Sequence, residues 1–340
     1  MIVKKKNQFR IAIIAVIFFI GFSWYSKASL ERAVLIPYAK EGTAQNFSVQ
    51  AGQNIKIVSA NLEKAGLIKS ASTLSRYAKK IKADTKIKVG EYSFSPSMTP
   101  KSILSALVAG DREEVWITIP EGWRIDQIAS YLEKEGLVKA RDFENIAKVK
   151  NFSDYPFLYG LSGNATLEGY LFPDTYRIFA DADISDIIKV MLDNFGNKVT
   201  TDMIDKAGRI GLTLHEFVTL ASIVDKESAH SADTDKIASV YYNRLNQKMP
   251  LQSDATITYI TRRPDARPTF DETREKSPYN TYLNSGLPPG PVGNPGLAAL
   301  SATLNPAETN YLFFVSRDGR AYFATTYEEH LLNINKYLGG

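Results

Sequence analysis

The most apolar stretch of the chain lies near its N-terminus, from Ile11 to Tyr25 (IAIIAVIFFIGFSWY), behind the basic residues Lys4 to Lys6 and Arg10. As a helix it would extend about 22 Å, less than the roughly 30 Å of a bilayer's hydrocarbon core. Snorkelling of Arg10 and Lys27, with Trp24 at the far interface, makes up the difference. The pattern predicts a single-pass anchor in residues 1–28 with a cytoplasmic N-terminus.

A cleavable signal peptide is the alternative interpretation of this segment, because Ser26 to Ala28 (SKA) resembles a small-x-small cleavage site. The aromatic end of the segment favours an uncleaved anchor in the plasma membrane. Either interpretation places the rest of the chain outside the cytoplasm.

Two segments 70 residues apart share one pattern: 47–69 (FSVQAGQNIKIVSANLEKAGLIK) and 117–139 (ITIPEGWRIDQIASYLEKEGLVK). Each pattern predicts a short alternating strand, a glycine turn, and a helix that ends at a glycine after LEK. A second strand is predicted after each, at Gly90–Phe94 and at Gly169–Pro173, followed by an amphipathic helix. The repetition predicts two related α+β units.

The first of these units, residues 45–112, resembles a LysM-like module, a small fold that often contacts glycan chains. A duplicated spacer that holds the rest of the chain away from the membrane is the alternative, because repetition indicates ancestry rather than ligand binding. Residues 115–340 form the larger predicted domain. The fold class is therefore α+β, with an N-terminal transmembrane helix, a LysM-like unit and a larger α+β domain.

The amino-acid composition argues against several kinds of partner and catalytic group. The chain of 340 residues is 44% apolar and 23% charged, as expected of a globular protein, and its net charge is only +4. No long block of lysine and arginine follows the N-terminus, so no nucleic-acid partner is expected. Without cysteine, the chain has neither disulfides nor a thiol nucleophile, and its three histidines show no metal-ligand spacing. Neither a metal nor a cofactor is expected.

Two carboxylates stand at the end of a predicted helix, in GLTLHEFVTLASIVDKES. Thr213 and Glu216 form a capping box at its start, and an apolar face follows at helical spacing. Asp225 and Glu227 fall on opposite flanks of that face, so periodicity does not choose between them. Desolvation at the edge of an apolar layer would raise the pKa of either group, as a general acid requires. The alternative is a solvated helix end.

Polar and aromatic residues are concentrated further along the chain. An amphipathic helix from Asp235 leads into LQSDATITY, which carries Gln252, Ser253 and Asp254. A proline- and glycine-rich stretch, Pro278 to Gly296, interleaves tyrosines and asparagines, which predicts a rigid, specifically folded loop. Aromatic faces and amides suit a sugar polymer, although a purely structural loop remains the alternative. The C-terminal NYLFFVSRDGRAYFATTYEEH predicts a hairpin that packs on the larger domain, with its turn near Asp318 and Gly319.

Six segments occur together and in order: EGYLFPDTY, LASIVDKES, ASVYYNRL, LQSDATITY, YNTYLNSGLPPGPVGNPG and LNPAETNYLFFV. They resemble the motifs of the YceG-like family of membrane-anchored endolytic murein transglycosylases. The resemblance covers nearly the whole chain. Any one segment would be a weak signal, whereas six in order are specific.

The resemblance implies that Glu227 is the catalytic residue, because the family's catalytic glutamate is the second acid of this segment. The chain departs from the family at Asp225, where a glutamate is common, and at Ala255, where proline is frequent. Ser228 completes a Glu-Ser pair found in other lytic transglycosylases. The expected substrate-binding residues are Tyr279, Asn280, Tyr282, Gln252, Asp254 and Ser228.

The implied reaction breaks the β-1,4 bond between N-acetylmuramic acid (MurNAc) and N-acetylglucosamine (GlcNAc) within nascent glycan strands. Such an enzyme leaves 1,6-anhydroMurNAc ends and helps to terminate strand elongation near peptidoglycan synthases. One carboxyl group suffices, since the attacking hydroxyl belongs to the substrate. The expected partners are peptidoglycan strands, the membrane and the synthases.

Three other interpretations remain. A hydrolytic muramidase would need Asp254 or Asp225 to activate water, and it would leave reducing ends. A non-catalytic scaffold would use the repeats and the anchor to tether wall-synthesis proteins. Members of the family have also been labelled aminodeoxychorismate lyases, but a pyridoxal-phosphate enzyme would normally work in the cytoplasm, which the predicted anchor disfavours.

Overall fold

The computed structural model describes residues 29–110, 113–228, 233–263 and 267–338. The chain divides into two compact units, with the boundary between Glu113 and Glu114. Among the described residues, no helix is long and apolar enough to cross a membrane. The segment predicted as an anchor, residues 1–28, lies outside the described residues.

The first unit has the order strand, helix, helix, strand, helix. Its elements are β1 (Gln45–Val49), α1 (Ile55–Lys64), α2 (Ala71–Lys80), β2 (Gly90–Phe94) and α3 (Pro100–Ala109). β1 and β2 pair antiparallel, with Phe47 opposite Tyr92. Both side chains are buried and join Val58, Leu62 and Leu107 of the helices in one apolar core. The predicted strand at 90–94 is confirmed.

The second unit begins with the same order of elements. These are β3 (Glu114–Thr118), α4 (Ile125–Lys134), α5 (Ala140–Ile146), β4 (Thr175–Phe179) and α6 (Ile184–Lys198). β3 and β4 also pair antiparallel, with Ile117 opposite Tyr176. Gly66 and Gly136, 70 positions apart, both follow a helix end with positive φ. Both repeated segments therefore have the order strand, helix, helix, strand, helix, and the relation between them stays a prediction.

The strand predicted at Gly169–Pro173 is wrong, because the strand of this unit lies at Thr175–Phe179 instead. Tyr170, Leu171 and Phe172 are all buried, whereas a strand with one exposed face would alternate. Gly169 has φ +89°, so the segment is an interior turn that packs into the core.

The rest of the second unit surrounds one helix. Its elements are α7 (Thr201–Arg209), α8 (Leu214–Glu227), α9 (Thr234–Asn246), α10 (Asp254–Thr261), α11 (Leu297–Leu304), β5 (Phe313–Arg317), β6 (Arg320–Ala324) and α12 (Tyr327–Tyr337). Every residue of α8 from Phe217 to Val224 is buried. The sequence pattern predicted one apolar face, but the helix is buried on more than one side. Phe217 of α8 belongs to one core cluster and Leu220 to another.

The ends of α8 show how the sequence fixes its position. The capping box of Thr213 and Glu216 is confirmed at its start, and Glu227 is its last residue. Two polar side chains inside the helix have partners: Thr219 donates to the carbonyl of His215, and Ser222 donates to that of Thr219. The helix can therefore be buried all round without unsatisfied hydroxyl groups.

The C-terminal hairpin is confirmed. β5 and β6 pair around Asp318 and Gly319, both with positive φ, as the type I′ form of a two-residue hairpin turn requires. Phe314 and Phe323 pack on the core that α8 shares with α9. The hairpin prediction extended too far, however, because YEEH begins helix α12 behind a capping box of Thr326 and Glu329.

Gly169 offers a test of the interior turn. A Cβ there would lie 2.4 Å from Cγ of Pro291 and 2.9 Å from Cγ1 of Val218. Gly169→Ala combines this overlap with an unfavourable φ, so we expect it to lower the free energy of unfolding by about 2–5 kcal/mol. Urea unfolding followed by tryptophan fluorescence measures the change.

Gly160→Ala is the matched control, since Gly160 has φ +86° but no atom within 4 Å of its added Cβ. It should lower the free energy by only about 1–2 kcal/mol, the cost of the backbone alone. Equal losses at the two positions would contradict the packed turn.

Candidate active site

A cleft of about 540 Å³ in the second unit brings together residues that are distant in sequence. Its lining side chains come from the ends of α8 and α10, from α9, and from the C-terminal hairpin and helix. The lining includes Glu227, Tyr241, Arg244, Gln252, Asp254, Arg267, Tyr282, Phe313 and His330. Within the described part of the chain, no group of three or more histidine, aspartate or glutamate side chains could hold a metal ion.

Glu227 projects from the last turn of α8 into this cleft. The hydroxyl of Ser253 donates a hydrogen bond of 2.6 Å to Oε1 of Glu227, and the backbone N–H of Ala255 approaches the same oxygen at 3.4 Å. The hydroxyl of Tyr241 lies near the same carboxyl group and favours its charged form. Because Oε1 accepts two donors, the proton of a neutral carboxyl group belongs on Oε2.

The surroundings of Glu227 favour its neutral form. Burial raises the pKa of the Glu227 carboxyl group, and the charge of Asp254 adds to the rise. The hydrogen bonds from Ser253 and Ala255 and the nearby Tyr241 hydroxyl oppose it, since they stabilise the carboxylate. The group therefore combines a raised proton affinity with donors that receive the charge when the proton leaves.

The segment that carries Ser253 is held in place by buried contacts. Arg244 donates from Nη1 to the carbonyl oxygens of Pro250 and Leu251, at 3.2 and 2.9 Å. The backbone N–H of Ser253 donates to Oγ1 of Thr281, at 3.0 Å. α9 and the proline-rich loop thus fix the hydroxyl that contacts Glu227.

Three of the predicted binding residues line the cleft beside Glu227. Tyr282 donates from its hydroxyl to Oδ1 of Asp254, at 2.6 Å. Gln252 accepts from Nη1 of Arg244 at 3.3 Å and has φ +49°. Gln252, Asp254 and Tyr282 therefore meet at the catalytic candidate, although they come from two separate sequence segments.

The other three predicted binding residues lie away from the cleft surface. Asn280 is fully buried, and its amide donates to the carbonyls of Thr273 and Glu275. The ring of Tyr279 packs against Tyr259, with centroids 4.8 Å apart. Ser228 is buried, and its hydroxyl donates to the carbonyl of Asp225 at 3.4 Å. In this conformation, these side chains brace the loops around the cleft.

Asp225 points to a different place from Glu227. Its Oδ1 accepts the backbone N–H of Gly296 at 3.1 Å, and its other oxygen lies so close to Gly122 that a Cβ there would be 2.6 Å away. Burial raises the pKa of Asp225 to about 6, and the charge of Glu121 contributes to the rise. The hydrogen bond from the Gly296 N–H acts in the opposite direction, because it stabilises the carboxylate. Asp225 is not one of the described residues that line the cleft.

Glu168 and Asn294 join three loops in the interior. Oε1 of Glu168 accepts the N–H of Ile125 at 3.1 Å and Nδ2 of Asn294 at 3.2 Å. Asn294 also donates from Nδ2 to the carbonyl of Trp123 and accepts the N–H of Leu171. Burial raises the pKa of Glu168 to about 8, although the Ile125 bond opposes the rise. This junction ties the EGYLFP segment to the proline-rich loop.

Sequence reasoning did not single out several cleft residues. Ser253 and Tyr241 lie within quoted motifs, but nothing in the spacing links them to Glu227. Phe313 and His330 were missed because the C-terminal segment was interpreted only as a hairpin. The polar run Gln252-Ser253-Asp254 was the available signal for Ser253.

The comparisons with known proteins agree with the motifs. The model of the YceG-like family matches residues 47–336. The chain belongs to the YceG-like family. A relative from Bacillus subtilis (strain 168), named endolytic murein transglycosylase, is 34% identical over 333 residues, which cover 94% of this chain and 90% of that protein.

Two further relatives extend the family comparison. A protein of Streptococcus pneumoniae serotype 2 with the same name is 34% identical over 321 residues, which cover 85% of this chain but 58% of the longer relative. The crystal structure of a YceG-like protein from Listeria monocytogenes has a TM-score of 0.59 and 32% identity. That likeness covers 86% of this chain and 99% of the Listeria chain.

The buried position of Glu168 predicts a pH-dependent stability. Its pKa is about 8 in the folded protein against an ordinary value of 4.5. Between these values the unfolded chain releases the proton first, so the free energy of unfolding should fall as pH rises from about 4.5 to about 8. Glu168→Gln keeps the acceptor oxygen but cannot ionise, so its stability should fall less.

Urea unfolding at several pH values measures how the free energy of unfolding changes with pH in the native chain and in Glu168→Gln. Near the alkaline end, Glu168→Gln should be more stable than the native chain by about 2–5 kcal/mol, and Asp225 and Glu227 account for the slope that remains. A variant that is less stable than the native chain at every pH would contradict a buried, protonated Glu168.

Proposed function

We propose that this chain is a peptidoglycan lytic transglycosylase that cuts the β-1,4 bond between MurNAc and GlcNAc within nascent glycan strands. The observation that carries the proposal is the position of Glu227 in the cleft, with a pKa raised by burial and a hydrogen bond from Ser253. Membership of the YceG-like family and the names of the relatives support this reaction and substrate.

In the first step, Glu227 acts as a general acid. The proton on Oε2 passes to the glycosidic oxygen, and the bond from that oxygen to the anomeric carbon of MurNAc breaks. The GlcNAc portion leaves with a new hydroxyl group. The carboxylate that remains on Glu227 is stabilised by the Ser253 hydroxyl and by the N–H of Ala255.

In the second step, the same carboxylate acts as a base. It takes the proton of the C6 hydroxyl of MurNAc while that oxygen attacks the anomeric carbon and forms the 1,6-anhydro ring. Glu227 is thereby protonated again, and no water is consumed. Because the nucleophile belongs to the sugar itself, a second protein carboxylate is not needed.

Polar side chains beside Glu227 are suited to holding the sugars. Tyr282 presents an aromatic ring whose hydroxyl is fixed on Asp254, and Gln252 presents an amide fixed by Arg244. We assign direct substrate contact to Gln252, Asp254 and Tyr282. Tyr279, Asn280 and Ser228 act by bracing the loops, which is the role their present contacts support.

The cellular setting is part of the proposal. The apolar segment Ile11–Tyr25 and its basic flank support a single-pass anchor in the plasma membrane, with both units outside the cytoplasm. The strand–helix–helix–strand order of the first unit, with paired outer strands, supports a LysM-like module that contacts glycan. From this position the enzyme would terminate strands close to peptidoglycan synthases.

Hydrolysis is the second candidate reaction, and one observation favours it. Asp254 lines the same cleft as Glu227, where it could activate a water molecule. Its Oδ1 is already bound by the hydroxyl of Tyr282, which leaves Oδ2 for such a role. The products distinguish the two reactions, because hydrolysis leaves reducing ends and transglycosylation leaves anhydro ends.

The central test compares the full chain, purified in detergent, with Glu227→Gln on un-cross-linked peptidoglycan strands. The amide that replaces the carboxyl group has no transferable proton, so we expect the rate to fall by at least about 100-fold. Mass spectrometry of the products should show ends lighter by one water with the native chain. Asp225→Asn keeps an acceptor for the Gly296 N–H, so it should retain most of the activity.

Each contrary outcome has a distinct meaning. Reducing ends would identify a hydrolase and would direct the next substitution to Asp254. Unchanged cutting by Glu227→Gln would remove Glu227 from the mechanism. Loss of cutting in Asp225→Asn alone would give the catalytic role to the other carboxylate of α8.

A further inference from the structure

Three basic side chains line the cleft that contains Glu227, and none of them takes part in the two proton transfers of the proposed reaction. They are Arg244 of α9, Arg267 in the segment before the proline-rich loop, and His330 of α12. We call these three residues the basic wall. A neutral sugar backbone does not require such a wall, so its presence indicates another feature of the ligand.

Arg244 is a buried cation without a counter-ion. Its side chain is 8% exposed and forms no ion pair with any described residue. Nε and Nη1 donate to neutral oxygens, including the carbonyls of Leu312 and Leu251. A charge removed from water in this way is costly unless an anion compensates it. The cleft is the open side from which an anion can arrive.

His330 adds an unused hydrogen-bonding group. Its Nδ1 is buried and has no partner, while its ring lies 5.2 Å from the ring of Phe313. The guanidinium of Arg244 lies 5.1 Å from the centre of the same Phe313 ring. Phe313 therefore contacts both basic groups, and all three side chains face one cleft. His330 lines the cleft, and a neutral imidazole donates a hydrogen bond from one of its two ring nitrogens.

Arg267 completes the wall from the exposed side. Its side chain is solvent-exposed and has no ion pair among the described residues. The two acidic side chains of the cleft have other partners. Glu227 accepts a hydrogen bond from Ser253, and Asp254 accepts one from Tyr282. The cleft thus combines the proposed catalytic carboxyl group with three basic side chains that form no ion pair within the described part of the chain.

We infer that the basic wall is a subsite for a carboxylate group of the glycan strand. This inference rests on the proposed function, because it takes the strand as the ligand of the cleft. Arginine and carboxylate match in charge and in hydrogen-bond geometry, and a nearby histidine supplies one further donor. A carboxylate seated there fixes which sugar of the strand faces Glu227.

Two positions on a strand carry this chemistry. MurNAc bears a lactyl group, whose carboxylate is free when the peptide stem has been removed. When the stem is present, that carboxyl group is an amide, and the carboxylates belong to the peptide itself. The subsite binds a carboxylate from either source, and binding measurements on chemically modified strands distinguish the two sources.

The test measures binding with Glu227→Gln in the full chain, so that no bond is cut. Three strands of equal length are compared: stem-bearing strands, strands stripped of stems, and stripped strands whose lactyl carboxyl groups have been converted to neutral amides. Calorimetry gives the dissociation constants at low and high salt. At least one carboxylate-bearing strand should bind roughly tenfold more tightly than the neutral strand.

Substitutions in the same background locate the effect. Arg267→Gln removes an exposed charge, and His330→Phe keeps the ring on Phe313 but removes Nδ1, so neither should disturb the fold. Each should reduce the preference for the carboxylate-bearing strand at least about threefold and leave binding of the neutral strand unchanged. Arg209→Gln, an exposed arginine at the end of α7, is the matched control and should keep the full preference.

The outcomes test the carboxylate subsite and the proposed transglycosylase reaction independently of each other. Tighter binding of stripped strands alone assigns the lactyl carboxylate, and tighter binding of stem-bearing strands alone assigns the peptide. Equal binding of all three strands overturns the subsite, as does an equal loss for all three in Arg267→Gln and His330→Phe. A preference for carboxylates together with no anhydro product from the native chain would keep the subsite and overturn the transglycosylase.

Discussion

The hydrogen bond from Ser253 to Glu227 is the interaction on which the proposed active site depends. Burial alone would leave a carboxyl group that holds its proton too firmly, while full solvation would leave one that has already lost it. Glu227 lies between these limits, because it is desolvated at the end of a buried helix and its Oε1 accepts a 2.6 Å bond from a fixed hydroxyl. One group can therefore give a proton and take one back.

Much of the second unit serves to hold the two partners of this bond. The carboxyl side comes from α8, which lies between two apolar clusters and is buried on all sides. The hydroxyl side comes from a segment that Arg244 and Thr281 hold by hydrogen bonds. Asp225 and Asn294 fix the proline-rich loop through Gly296 and Trp123. Each polar contact replaces the water that burial removes from these loops.

The sequence contained enough local information for most elements but not for their assembly. Capping boxes, glycine stops and the Asp318-Gly319 turn are set by neighbours in the chain, so the helix at 214, the repeat and the hairpin were predictable. Gly169–Pro173 was not, because a run of apolar residues does not distinguish a strand from an interior turn. Spacing could not choose between Asp225 and Glu227, since their different partners, Gly296 and Ser253, lie at distant positions. The resemblance to the YceG-like family supplied that choice.

The protonation of Glu227 is the claim to measure first. The carboxyl carbons of all glutamates can be labelled with ¹³C in the full chain and followed by NMR across a pH titration. The signal that disappears in Glu227→Gln identifies the residue. Our account predicts that this signal titrates above the ordinary value of 4.5, because burial outweighs the bonds from Ser253 and Ala255. A midpoint at or below 4.5 would mean that Glu227 is ionised when the substrate arrives, and it would contradict the proposed acid.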